Sequence, residues 1–140
     1  MTIQTIEKII NVYINADRLV KQFDLLIHKK ALSTVLNTYN QAICIAEAMN
    51  RKQNVINLCR IVEEKLQGVA DNKKLLFTDY LNGSQATELA QNYNLSMRTV
   101  YRYIDIVKRS LLCLFSADKK QSREVEEFLQ NIYCNNKLKF

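Results

Sequence analysis

The chain contains no proline, no tryptophan, two glycines and one histidine. Average usage would place about seven prolines and ten glycines in a chain of this length. These are the residues that interrupt helices and shape tight turns. Their scarcity, beside abundant Leu, Ile, Ala, Gln, Glu and Lys, predicts an all-α fold. Long apolar runs are missing as well. No stretch approaches the roughly 18 consecutive apolar residues of a membrane span, and the N-terminus has neither the basic flank nor the continuous apolar run of a signal peptide. A cytoplasmic protein with no membrane contact is the expectation.

Chemical machinery is equally sparse. His28 has no Ser, Cys or acidic pair around it in a recognisable motif, and it reads as a surface or helix-end residue. A recombinase needs a nucleophilic Ser or Tyr with clustered Arg, and a nuclease needs grouped carboxylates for metal. Neither constellation is present, so no catalytic residue, enzyme activity or cofactor is expected. Cys44, Cys59, Cys113 and Cys134 never approach CxxC spacing, which excludes a local zinc motif. Each lies beside apolar residues in a helical stretch, and buried, reduced thiols are expected. A chain of 140 residues buries about two thirds of its unfolded surface, enough for a core without metal or disulfide staples.

The net charge of +6 permits a polyanionic partner without requiring one. Residues 1–70 carry nine basic and six acidic side chains, residues 71–115 six and four, and residues 116–140 five and four. No segment is a basic tail, so any charged surface must be local.

Apolar or small residues recur at Ile6, Ile9, Tyr13, Ala16, Val20, Phe23 and Ile27, alternately three and four apart. That spacing predicts one helix with one apolar stripe. A second helix is expected from about Lys30 to Met49, with Leu32, Val35, Tyr39, Ala42, Ala46 and Met49 on one face. A third, from about Lys52 to Gln67, would use Val55, Leu58, Val62 and Leu66 and stop at Gly68. These stripes suit either an intramolecular bundle or a dimer seam, for which Ile6 to Ile27 is the best candidate, assisted by Leu32, Val35, Tyr39, Phe128 and Ile132. After "VADNKK" the pattern resets. Asp71 is the expected N-cap of a helix ending at Asn82 and Gly83, Ser84 that of the next. A break falls at Asn94, Ser96 caps a long helix to about Phe115, and a last helix starts near Ser116 or Asp118. The tail "CNNKLKF" has little periodic signal.

"GSQATELAQNYNLSMRTVYRYI", residues 83–104, holds the most informative spacing. Two short helices crossing through a tight turn need a small inner residue, here Ala90, and a turn residue tolerant of positive φ, here Asn94. Leu89, Tyr93, Leu95, Val100 and Tyr103 complete an inner set. Met97, Arg98, Tyr101, Arg102 and Asp105 then face outward. A helix so exposed fits the major groove, with Arg reaching guanine or phosphate and Tyr or Met meeting thymine methyls. Ser96 and Thr99 place hydroxyls at the helix start, Lys108 and Arg109 extend the basic side, and Ser84 and Gln85 lie where phosphate contact is expected. Residues 96–112 contain four basic side chains and one acidic.

The run from Phe77 to Arg109 resembles the C-terminal DNA-binding part of the Mor transcription activator family of phages, through Tyr80, Asn82, Gly83, Glu88, Leu89, Tyr93, Thr99, Val100 and Tyr101. It is similar, less specifically, to the promoter-reading domain of sigma factors and to late-gene activators of Gram-positive phages. The resemblance implies a DNA-binding regulator of phage or mobile-element type. The front half has no Pro and no strand pattern, so the Mor dimerisation mode is not implied. The resulting expectation is an all-α protein: a helical dimerisation or interaction region over 1–70, a helix-turn-helix module without a β-wing over 71–115, and a C-terminal helix and tail over 116–140. Its partners would be double-stranded DNA and a second copy, with RNA polymerase as a further one. Two other readings stay open: an RNA polymerase or sigma-factor interaction protein, and the DNA-binding subunit of a packaging or recombination machinery.

Overall fold

The structure, a computed structural model, describes residues 1–34 and 37–133. Those residues form seven helices and no strand: α1 Ile3–Ile14, α2 Ala16–Ala31, α3 Thr38–Leu66, α4 Asp71–Leu81, α5 Ala86–Asn92, α6 Met97–Ala117 and α7 Lys119–Tyr133. The all-α expectation holds. Val35, Cys134 and the tail lie outside the described residues.

Helix boundaries differ from expectation in several places: α2 runs on to Ala31 and α3 begins at Thr38, where a helix from about Lys30 was expected. The stretch read as one helix over Ile6 to Ile27 is broken at Asn15, whose side-chain amide donates to the Asn11 carbonyl at 2.8 Å and so terminates α1. The two helices expected around Met49 to Lys52 are instead one, α3. The polar run "NRKQN" that suggested a break carries no Gly or Pro, and two of its residues pair with other helices. Asn54 is nearly buried and donates to Asn131 of α7 at 2.8 Å, while Lys52 pairs with Asp24 of α2 at 2.7 Å. Finally, Asp71 does not cap α4 but occupies its first turn, where a carboxylate still favours the positive helix end.

The core is one cluster to which all seven helices contribute. α6 sits at its centre and packs on α1, α3, α4, α5 and α7. Its stripe Val100, Ile104, Val107, Leu111 and Phe115 is buried against Ile6, Ile9, Ile10 and Val12 of α1, Leu76 and Phe77 of α4, and Val125, Leu129 and Ile132 of α7, all in the same cluster. The apolar stripe of the first segment therefore has an intramolecular role. Ile6, Ile9 and Phe23 are fully covered and Tyr13, Ala16 and Val20 half-covered by the chain's own helices, so the seam expected between copies there is already occupied. Tyr13 adds a hydrogen bond from its hydroxyl to Glu63 Oε1 of α3 at 3.1 Å. Gly68 follows the end of α3 without a positive φ. A Cβ there would stand 3.3 Å from Leu114 Cδ1, so the glycine answers a close approach to α6 rather than a left-handed cap.

The hairpin of α2 and α3 projects from this core. Between Asp24 and Gln53 only Ala48 is buried among the described residues. Gln41 ties the hairpin end together, donating through Nε2 to the carbonyls of Lys30 at 2.9 Å and Ala31 at 2.7 Å. Asn37 caps α3 by accepting from the Asn40 amide at 2.8 Å. Tyr39, Ala42, Ala46 and Met49 do share one face of α3 as expected, but that face is turned to solvent. The inward side is formed by Ala48, Val55, Leu58 and Val62 instead. Leu32 lies past the end of α2 and is exposed.

Because Phe115 is buried where α6 meets the shared cluster, Phe115→Ala should cost about 3–5 kcal/mol. A urea titration followed by helix content should show one transition moved to lower denaturant, and not a separate melting of the C-terminal helices.

Candidate nucleic-acid interface

α4, α5 and α6 are joined by two turns of the same construction. At the end of α4, Gly83 has φ +100°, its amide donates to the Tyr80 carbonyl at 3.1 Å, and the Ser84 amide donates to the Asp79 carbonyl at 3.1 Å. At the end of α5, Asn94 has φ +55°, its amide donates to the Gln91 carbonyl at 3.4 Å, and the Leu95 amide donates to the Ala90 carbonyl at 2.9 Å. Each is a Schellman closure, in which one left-handed residue allows the last carbonyls of a helix to be satisfied by the backbone that leaves it. Glycine fills the position once and asparagine, the next best residue for it, the second time.

The side chains around the second turn lock its angle. Leu89 and Val100 are fully buried, and Ala90, Tyr93, Leu95 and Tyr103 pack partly buried against the core. The inner set expected for this stretch is thus the observed one, with Ile104 as an addition. The Tyr93 hydroxyl donates to the Asp79 carboxylate, a bond from the end of α5 back to α4. That bond, and then burial, raises the phenol above its ordinary value. Ser96 caps α6, its Oγ accepting from the Thr99 amide at 3.2 Å and lying 2.9 Å from Thr99 Oγ1. Both hydroxyls are therefore engaged in the cap, and Thr99 is half-buried rather than fully outward. Ser84 does not cap α5: that position falls to Gln85, whose side chain makes no capping bond.

At 100° per residue, Met97, Lys108, Tyr101, Asp105, Arg98, Arg109 and Arg102 fall within a sector of roughly 140° on α6. The buried stripe fills the adjoining sector of roughly 80° and meets the outward one at Met97, which shares the angle of Phe115. Met97, Arg98, Tyr101, Arg102, Asp105 and Arg109 are exposed and Lys108 half-exposed; Tyr101 is 59% accessible. Arg109 Nε lies 3.0 Å from Asp105 Oδ2, and α6 carries no other carboxylate. An ion pair so exposed holds by only a fraction of a kcal/mol. Among the described residues it leaves Arg98, Arg102 and Lys108 as the uncompensated positive charge of the helix.

One edge of this face borders an open depression of about 540 Å³, where Met97, Tyr101 and Lys108 meet Ser84 and Gln85 of the α4–α5 connection. Thr87, Tyr80 and Ile14 are also part of the wall. The structure thus brings five of the expected site residues around one hollow, while Arg98, Arg102 and Arg109 line the far side of the α6 face. Ile14 has no sequence signal, because its place depends on how α1 docks.

Other chemistry is limited. No group of three His, Cys, Asp or Glu able to hold a metal occurs among the described residues, and no described helix is long and apolar enough to cross a membrane. Cys44, Cys59 and Cys113 are free thiols. Cys113 is exposed, contrary to expectation, because it falls on the side of α6 away from Leu111 and Phe115. Burial, then the Glu63 and Asp17 carboxylates, pushes the Cys59 thiol up to about 11. It stays protonated at neutral pH and is a poor nucleophile.

Two variants test the turn. Asn94→Gly should be neutral or mildly stabilising, whereas Asn94→Val should cost on the order of 1 kcal/mol or more, because a β-branched residue resists the left-handed region; thermal melts of both decide. Tyr93→Phe should cost about 0.5–1 kcal/mol at neutral pH, given a charge-assisted bond that is part-exposed. The sign of its pH dependence follows from the raised phenol. Stability from a folded-state value above the unfolded one is complete below pH 10 and fades as pH rises through the raised value, so the wild-type should lose more than Tyr93→Phe between pH 9 and 11.

Comparison of the chain with protein-family models, curated proteins and solved structures finds no match.

Proposed function

We infer that the chain binds double-stranded DNA sequence-specifically through the outward face of α6, as a transcription regulator of phage or mobile-element type. The observation that carries this reading is the coincidence, on one helix, of a left-handed turn closed at Asn94, a hydroxyl cap at Ser96, and an outward sector with three uncompensated cations beside exposed Tyr101 and Met97. An α-helix fills the major groove, and the residues of its first turns reach base edges. In that placement Arg98 and Tyr101 meet bases, Arg102 and Lys108 hold phosphates on the two flanks, and Ser84 and Gln85 meet the backbone across the hollow. The resemblance of Phe77 to Arg109 to the Mor family supports the same assignment. Asp105 would keep Arg109 paired in the free protein, and a phosphate would compete for it.

Selection of bound fragments from a genomic library by the purified chain tests binding and sequence preference together. Arg102→Ala should weaken every duplex alike and reduce the salt slope by about one unit, while Arg98→Ala should cost roughly 1–3 kcal/mol mainly on the preferred site. Unchanged binding of both variants to all DNA tested would reject the α6 face, and no selection of any fragment would reject DNA as the ligand.

A further inference from the structure

The hollow beside the α6 face carries more apolar surface than contact with DNA would use. Ile14 and Met97 are each 37% accessible and Tyr101 59%, and all three border the same depression of about 540 Å³. Single exposed apolar residues need no explanation, but their convergence on a concavity does. A DNA backbone laid across the rim would engage Lys108, Ser84 and Gln85, while its hydrophilic phosphodiesters would leave Ile14 and Tyr80 without an apolar partner. We propose that this hollow is an effector site for a small aryl carboxylate, which on binding competes with DNA for the same part of α6.

Size, charge and rigidity select that class. The volume lies within the roughly 300–1,000 Å³ of small-molecule sites, whose walls are mainly apolar and aromatic with a few polar groups. Of the described residues that line it, Lys108 is the one with a charge and none is acidic, so an anion is attracted and a cation repelled. Ser84, Gln85 and Thr87 add hydroxyl and amide donors from a single connection. An aromatic group gains from Tyr80 and Tyr101 beyond the area it buries, which favours an aryl carboxylate over an aliphatic one. Part of the wall is also fixed in advance. Ile104 is nearly buried, and the Tyr80 ring packs on Phe77 with centroids 5.6 Å apart, so binding need not order them. Because the hollow is open to solvent, affinity should be modest, on the order of 0.1–1 mM. Met97, Tyr101 and Lys108 belong both to the hollow and to the α6 face. An occupant therefore takes Lys108 from phosphate and covers side chains that would meet bases. That consequence rests on the DNA reading, whereas occupancy itself does not.

The probe is 2-naphthoate, with the corresponding naphthylmethanol and naphthylmethylamine as neutral and cationic counterparts. Titrated into the intact chain with isotope-labelled methionine methyls, naphthoate should move the Met97 resonance and leave that of Met49, exposed on the projecting hairpin, in place. The alcohol should bind about three- to tenfold more weakly, and the amine not measurably at about 5 mM. Lys108→Gln should lower naphthoate to the affinity of the alcohol. Ile14→Asp, at an exposed position, should reverse the order of naphthoate and amine with circular dichroism unchanged. On DNA selected from the genomic library, about 5 mM naphthoate should weaken wild-type binding at least about fivefold, and binding by Ile14→Asp should not respond. A Met97 resonance unmoved by about 10 mM naphthoate, or an amine bound as tightly as the acid, would overturn the site. Naphthoate that fills the hollow without weakening DNA binding would overturn the competition. A chain that binds no DNA and still shows the Met97 shift keeps the effector site and loses the α6 reading, so the two failures are distinct.

Discussion

Burial of one stripe on α6 decides what the rest of the molecule can present. Val100, Ile104, Val107, Leu111 and Phe115 are held by five other helices, and full burial of such side chains is worth about 1.5–3 kcal/mol each before the entropy of ordering is subtracted. No electrostatic interaction on the surface approaches that sum. The ion pairs at Asp105–Arg109 and Arg60–Glu64 are exposed, and neither could rotate the helix against its core. The outward sector of Arg98, Tyr101 and Arg102 is therefore aimed by the packing of that stripe. A rotation of α6 that buried Arg102 would also have to expose Leu111 or Val107.

The two Schellman closures make that aim reproducible along the chain. A helix end usually leaves several carbonyls without partners, and loops that solve the problem with water are free to wander. Here the solution is backbone-to-backbone at the C-terminal ends of α4 and α5, with Gly83 and Asn94 supplying the positive φ. The Tyr93–Asp79 hydrogen bond then ties the end of α5 back to α4. Surface chemistry can vary on this frame at small cost, because the positions that set its angles are not the positions that face solvent.

The helical class, the inner residues from Leu89 to Tyr103 and the Asn94 turn were legible because each depends on spacing within a single segment. Failures came where single side-chain contacts, which periodicity does not report, decided the outcome. The break at Asn15 rests on one side-chain amide reaching back a turn. The continuity of α3 rests on Asn54 finding Asn131, seventy-seven positions away, a pairing no local pattern announces. The stripe of Tyr39, Ala42, Ala46 and Met49 was read correctly as a face while bundle and seam stayed open for it, since periodicity reports that residues share a side and not which side has a neighbour. The same ambiguity placed an intermolecular seam on Ile6 to Ile27, which the chain fills by itself. In the candidate interface, Arg98, Tyr101 and Arg102 followed from the helix phase, whereas Ile14 depended on the docking of α1.

The absence of any Gly or Pro within α3 has a mechanical side. An uninterrupted α-helix of 29 residues is a rod of about 44 Å, with one portion clamped in the core and the other carrying the projecting hairpin. Such a rod has no hinge at which its free end can pivot. The separation between Tyr39 and the α6 face is then a fixed length of the molecule, like the span of a calliper, and not an average over the wanderings of a tether.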